Sequence, residues 1–427
     1  MGPSSDRWPT TWGRTGIEAW QAWRSSGITI PVNPLVTARL GRDLFVHGVS
    51  PAIGWAAGAA RHPDSIAIVD ADRSLTQQAA EDLTRGATRH LRDLGLAPGR
   101  TAALLGRNSI GFAVAIAAVA RTGADLVYLN PGFSAEQVAA VCAEREVSLL
   151  LADPELAPRV PGTVPVLDLS RPGGWASPAG FRLSPGGGRH IILTSGTTGR
   201  PKGADRSRTP LEAAVSLLAS LPYRELGTHI MAAPLFHSWG WLNHRLAALL
   251  DATEVMIPRP DAGAVLDAAE RRRANLIVTT PVVIGRLMEA GPGDRDLSHL
   301  NGVLVSGSAI PPDIVARFAE RFGPVLYNLD GSTEVGYATV ATPTDLAHAP
   351  NSAGRPLPGV RVELRDSHGT AVPTGETGEV WVGSAAAFDG YVDGADKERD
   401  DGLVATGDVG VFDETGLLSI RGRSDDL

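Results

Sequence analysis

Between about residue 50 and residue 340 the chain alternates strand-like and helix-like segments, and this alternation constrains the fold most. "QAAEDLTRGATRHLRDLG" carries a helical apolar period and closes at Gly95, and "TAALLG" follows it as a strand. "AEQVAAVCAERE" reads as a helix leading into the strand "VSLLLAD", and "AGAVLDAAERRRAN" as a helix before the strand "LIVTT". "GVLVSGSAIPPDIVARFAERFGPVLYNL" reads as strand, helix with prolines at its start, and strand. Parallel strands need a crossover helix between them, so this order predicts an α/β fold of mainly parallel sheets covered by helices. A chain of 427 residues exceeds one ordinary core, and two such subdomains are expected, over residues 50–190 and 191–352.

After about residue 353 the texture changes. "VRVELRDSHGTAV", "GEVWVGS" and "GDVGVFDETGLLSIRGR" are short strands between Gly and Asp turns, which predicts a small antiparallel barrel or sheet over 353–427. Residues 1–49 form an N-terminal arm in which Trp8, Trp12, Trp20 and Trp23 are expected to anchor against the body. "RPGGWASPAGFRLSPGGGR", Arg171 to Arg189, is the clearest loop.

Composition excludes several function classes. A net charge of −8 gives no broad nucleic-acid footprint. The single cysteine, Cys142, rules out a disulfide framework, favours a cytoplasmic protein and lies in a helical pattern that suits packing. The N-terminus lacks the apolar stretch of a signal peptide, and the longest apolar run, Ile110 to Ala120, is too short to span a bilayer, so no membrane insertion is expected.

One segment is built for an anion. "IILTSGTTGRPKG", Ile191 to Gly203, runs from a strand into glycines and hydroxyls followed by Lys202. Such a loop can aim backbone N–H groups, hydroxyls and an ammonium at phosphate oxygens. It is not the G-x-x-x-x-G-K-[ST] loop, since Pro201 and Gly203 occupy two defining positions. The bland alternative is a surface turn. Four strand ends, at Thr194–Lys202, Thr279–Pro281, Ser306–Ala309 and Asp330–Glu334, would line one crevice if the strands were neighbours, which favours a nucleotide or phosphate site. Glu334 could hold Mg²⁺ beside phosphates or be a solvated acid. His237 among Phe236, Trp239 and Trp241, Asp408 in a turn and Arg423 near the end each have an ordinary structural reading as well.

In order, "LTSGTTGRPKGA", "PLFHSWGW", "DGSTEVG", "AGRPLPGV", "GEVWVG", "ATGDVG" and "GRSDD" resemble the adenylate-forming enzyme superfamily of acyl-CoA synthetases, luciferases and nonribosomal-peptide adenylation domains. The resemblance runs from about residue 60 to the last residue and is nearest to fatty-acyl or aryl-CoA ligases. It implies a layered αβαβα large domain with a distorted β-barrel. It also implies attack of a small-molecule carboxylic acid on the α-phosphate of Mg·ATP, then transfer of the acyl group to coenzyme A or a carrier protein's phosphopantetheine thiol. By the same resemblance Thr194, Ser195, Gly196, Thr197, Thr198, Gly199 and Lys202 would hold the phosphates. Ser308, Ala309, Asp330, Gly331 and Ser332 would line the adenine site. Thr333 would reach the α-phosphate, Glu334 the magnesium, and Asp408 and Arg423 the ribose. His237, Ser238, Trp239, Gly307 and Gly331 would border the acyl pocket, and Asp425 would be the interdomain hinge. Homodimers are compatible with this family.

Two departures stand out. The family usually places an aromatic ring on adenine where this chain has Asp330, and base stacking is worth roughly 1–3 kcal/mol. The family's mobile C-terminal domain, with its catalytic lysine, lies beyond the hinge, and the sequence stops two residues after Asp425. The expectation is a chain cut at the hinge that binds ATP and substrate but is weakly active alone. Rival readings are adenylation followed by amide formation, activation of an oxyanion such as nitrite for diazotisation, and a non-catalytic nucleotide-binding pseudoenzyme.

Overall fold

Helix signals in the sequence act as local physics requires. Thr76 accepts from the Ala79 amide to start the helix Gln77–Asp93, and Ser109 does the same through Phe112 for the helix Ile110–Thr122. Ser134 and Gln137 form a reciprocal capping box for Ala135–Glu144. The helix Ile110–Thr122 is buried on every side, which explains its continuous apolar run without any membrane. Arg121 at its end is fixed by a buried bidentate pair to Glu81, with Nη1 and Nη2 at 3.0 and 2.7 Å.

The computed structural model describes residues 20, 22–28, 33–47, 50–71, 73–175, 188–194, 202–205, 211–388 and 397–424. The strands of the first half are β1 (Ile66–Val69), β2 (Ser74–Thr76), β3 (Thr101–Leu105), β4 (Asp125–Leu129), β5 (Val147–Ala152), β6 (Val166–Asp168), β7 (His190–Thr194) and β8 (Lys202–Asp205). Next come β9 (Thr228–Met231), β10 (Thr253–Met256), β11 (Leu276–Thr279), β12 (Gly302–Val305), β13 (Leu326–Asp330), β14 (Thr339–Ala341) and β15 (Arg355–Pro356). The last are β16 (Arg361–Arg365), β17 (Thr377–Gly383), β18 (Arg399–Asp400), β19 (Leu403–Phe412) and β20 (Leu418–Arg423).

They form three sheets. A nine-stranded sheet has the order β15-β14-β13-β12-β11-β9-β10-β1-β2, and a six-stranded sheet the order β6-β5-β3-β4-β7-β8. Their inner strands pair in parallel and the outermost pairs are mostly antiparallel. One hydrophobic core joins the two sheets, with Leu104, Tyr128 and Ile192 from the second and Met231, Val278 and Leu304 from the first. The 190/191 division is not a sheet boundary, because β1 and β2 complete the sheet of the later strands while β7 and β8 belong to the earlier one.

The third sheet is antiparallel, with order β16-β17-β19-β18 and β20 also paired with β19. Among the described residues it is open, which corrects the expected barrel: closure needs a full-length ladder around the ring, and β18 has two residues. A second correction concerns the N-terminal arm. Trp20 and Trp23 are about half exposed, while the small Ala22 and Ser26 are buried and Ser25 Oγ donates to the Leu218 carbonyl. Trp8 and Trp12 lie outside the described residues. Cys142 is buried in its helix, and burial raises its thiol pKa to about 11, so it packs as its pattern predicted. Among the described residues no helix is long and apolar enough to cross a membrane.

Candidate active site

The carboxyl ends of both parallel sheets meet on one side of the molecule, and Asn108 shows how. Leaving β3, its buried side chain donates to the carbonyls of Met231, the last residue of β9, at 2.9 Å and of Ala233 just beyond it at 2.8 Å. Its Oδ1 accepts from the Leu235 amide at 2.9 Å. The sequence reading missed this residue; the signal available was an asparagine in "GRNS" directly after a buried strand.

Three of the four predicted strand ends are neighbours, since β11 pairs with β12 and β12 with β13. The fourth corrects the expectation, because β7 lies in the other sheet, between β4 and β8. It runs parallel to β4 and β3, so Thr194 still emerges on the side where Asn108 joins the sheets. Thr194 pairs with Lys202 across β7 and β8. Ser195, Gly196, Thr197, Thr198 and Gly199 lie outside the described residues, as does Asp425.

At the end of β12, Ser306 is buried, Gly307 takes φ +109° and Ser308 and Ala309 are exposed. At the end of β13 the loop Gly331–Gly336 is tied down from within. The Ser332 hydroxyl accepts from the amides of Glu334 (3.2 Å) and Val335 (3.3 Å), which gives this predicted nucleotide contact a structural task. A Cβ on Gly331 would lie 2.3 Å from the Gly336 carbonyl oxygen and 2.7 Å from Tyr337 Cα, so no side chain fits. The Glu334 carbonyl accepts from the Phe388 amide at 2.8 Å, which fastens the loop to the third sheet's side of the crevice. Thr333 and Glu334 are half-buried on this pinned loop. A single carboxylate on a fixed loop suits Mg²⁺, a hard cation that keeps waters and shares phosphate oxygens.

The third sheet delivers the other wall. Asp408 of β19 stands opposite Arg423 of β20, and Arg423 Nη1 donates to Asp408 Oδ1 at 2.9 Å. Asp330, at the end of β13, lies close enough to Asp408 to feel its charge. Burial first, and then Asp408, raise the Asp330 carboxyl to about 6, against a lowering bond from the Gly331 amide. Residues 78 positions apart in sequence thus share one electrostatic site.

His237 is the N-cap of the helix Ser238–Leu249, sits against Phe236 with ring centroids 4.4 Å apart and planes tilted by 41°, and is exposed. Desolvation by the surrounding chain lowers its pKa, which favours the neutral ring. Ser238 beside it is half-buried. Trp239 is buried, and its indole N–H donates to the Thr279 carbonyl at 3.0 Å, locking this helix to the end of β11. Gly240 is required there, because a Cβ would meet the Pro234 carbonyl oxygen at 2.1 Å.

An arginine-rich cavity adjoins this crest. It holds about 930 Å³ and is lined by Asn108 and by Arg73, Arg107, Arg259, Arg271 and Arg272, set against Asp70, Asp153 and Glu155. A smaller hollow of about 130 Å³ shares Arg107 and Asn108 with it and reaches Pro234 and Phe236, next to His237.

A family described as "AMP-binding enzyme" matches residues 55–392. Indoleacetate–CoA ligase of Aromatoleum aromaticum is 30% identical over 395 residues, covering 86% of this chain and 76% of that protein. The 2-succinylbenzoate–CoA ligase of Bacillus licheniformis is 27% identical over 86% of this chain and 78% of its own length. Among solved structures, the amide bond synthetase McbA of Marinactinospora thermotolerans superposes with a TM-score of 0.76 at 30% identity, covering 88% of this chain and 79% of that one. With its paired parallel sheets and the ordered motifs at their carboxyl ends, the chain belongs to the AMP-binding family of adenylate-forming enzymes.

Proposed function

We propose that this protein uses Mg·ATP to convert a carboxylic acid to an acyl-adenylate and then passes the acyl group to the thiol of coenzyme A. The observation that carries the first half is the convergence of the β13 loop with the Asp408–Arg423 pair. It sets the Asp408–Arg423 pair of β19 and β20 near Asp330, the residue from which the loop bearing Thr333 and Glu334 departs. Attack brings a carboxylate onto a polyphosphate, so the site must supply donors and cations rather than a base. Thr333 would donate to the α-phosphate, Lys202 would meet the phosphate oxygens, and Asp408 would accept the ribose hydroxyls. Magnesium on Glu334 would offset charge at phosphorus. His237 would stand between the acyl pocket and the nucleotide as a gate.

The arginine-rich cavity supports the thiol acceptor. Arg73, Arg107 and Arg259 are paired there with Asp70 and Glu155, which leaves the exposed Arg271 and Arg272 to meet the phosphates of coenzyme A. The hollow beside Phe236 extends from that basin toward the segment that carries His237. Pyrophosphate release is the test, measured with aromatic acids and a fatty-acid chain-length series, with and without coenzyme A. Acid-dependent release, with a thioester product, supports the reading; no release with any acid opposes it.

A second reading, amide formation, draws on the likeness to an amide bond synthetase at 30% identity. An acyl-adenylate that yields amide with added amine and no thioester with coenzyme A would favour it. The double reversal Arg271→Glu with Arg272→Glu separates the two. The thiol reading predicts a KM for coenzyme A at least tenfold higher, with the KM for ATP unchanged.

A further inference from the structure

Of the 39 lysines and arginines in the chain only two are lysines, Lys202 and Lys397. Everywhere else in the sequence the basic side chain is an arginine, and a lysine differs from it in presenting a compact ammonium. Lys202 follows the glycine and hydroxyl loop. Lys397 lies just before β18, far from that loop in sequence.

Its environment is the turn that carries Asp408. Lys397 Nζ donates to the Thr406 carbonyl oxygen at 3.3 Å. The Thr406 hydroxyl donates to the Val380 carbonyl at 2.9 Å and accepts from the Asp408 amide at 3.0 Å, so the turn is held on both sides. Gly407 between them has φ +80°, and a Cβ there would stand 3.1 Å from Arg423 Nη2 and 3.6 Å from Lys397 Nζ. The ammonium and the guanidinium therefore converge on the bare face of Gly407, beside the carboxylate of Asp408. Two cations brought to one point next to a hydroxyl-accepting carboxylate suit a sugar phosphate.

We propose that Lys397 is a nucleotide-binding residue, which with Arg423 forms a two-cation clamp over Gly407 for a phosphate group of the bound nucleotide. The proposal rests on the nucleotide reading of Asp408 and Arg423. The test is calorimetric titration of ATP, AMP and adenosine into the wild type, Lys397→Ala, Lys397→Arg and Asp408→Ala, with melting temperatures recorded. Lys397→Ala should weaken ATP and AMP about tenfold, leave adenosine unchanged and keep the melting temperature. Lys397→Arg should recover part of the loss. Equal weakening of AMP and adenosine would overturn the clamp and leave Lys397 as a support of the turn. Unchanged AMP affinity in Lys397→Ala, with binding lost in Asp408→Ala, would overturn this proposal alone. A wild type that binds no AMP would overturn the nucleotide reading together with it.

Discussion

Asp330 closes β13, and its carboxyl pKa is raised to about 6 by burial and by Asp408. The sign is definite. The folded state holds this proton above the pH at which an unfolded aspartate releases it, so Asp330 favours the fold at low pH. That contribution is lost as pH rises through about 6. An ionised Asp330 would also add negative charge, beside Asp408, to a site proposed to take an anionic nucleotide. ATP affinity should therefore rise as pH falls from 7.5 to 5.5, and Asp330→Asn should flatten the dependence, read by titration against the wild type. Asp330→Tyr should tighten ATP by one to two decades if the base lies over this residue, since stacking is worth roughly 1–3 kcal/mol. The presence of Asp330 was legible in the sequence as a departure from a pattern. Its partner was not, because a strand 78 residues later supplies it. Cys142 was fully legible: an apolar helical neighbourhood announced a packed thiol. With its pKa near 11, it should resist thiol reagents in the native protein and react on unfolding.

At the scale of elements, the strand ends were readable and their sheet membership was not. Buried runs such as "IILT" and "LIVT" look alike locally, and nothing in a period or a propensity says that β7 pairs with β4 while β11 pairs with β9 and β12. The expected anchoring of Trp20 and Trp23 failed for a related reason. Large apolar residues suggest anchors, yet Ala22 and Ser26 make the close approach and leave the rings of Trp20 and Trp23 half outside. Asn108 is the element-level support that no motif flagged. Replacing it with Ala removes three buried hydrogen bonds to the segment that leads to His237. Asn108→Ala should cost about 2–4 kcal/mol in urea unfolding and lower turnover more than it raises the KM for ATP. Gly331→Ala should be worse for nucleotide binding, because its Cβ would collide with the loop that carries Thr333 and Glu334.

For the whole molecule, the alternation of strand and helix was enough to give the fold class, and the change of texture near residue 353 marked the third sheet. The division of the first two sheets was hidden, because β1 and β2 reach across more than 150 residues to complete the later sheet. With a common core between them, the two sheets should unfold together, as one calorimetric transition rather than two. The proposed site draws on all three sheets. The β13 loop comes from the nine-stranded sheet, Thr194 and Lys202 from the six-stranded one, and Asp408 and Arg423 from the third. The most direct test of that convergence is a single-turnover reaction with enzyme in excess over ATP labelled at the α-phosphate, in the presence of candidate acids. An acid-dependent acyl-AMP with matching pyrophosphate, abolished in Asp408→Ala, is the predicted result. ATP that binds and dissociates unchanged with every acid would contradict it.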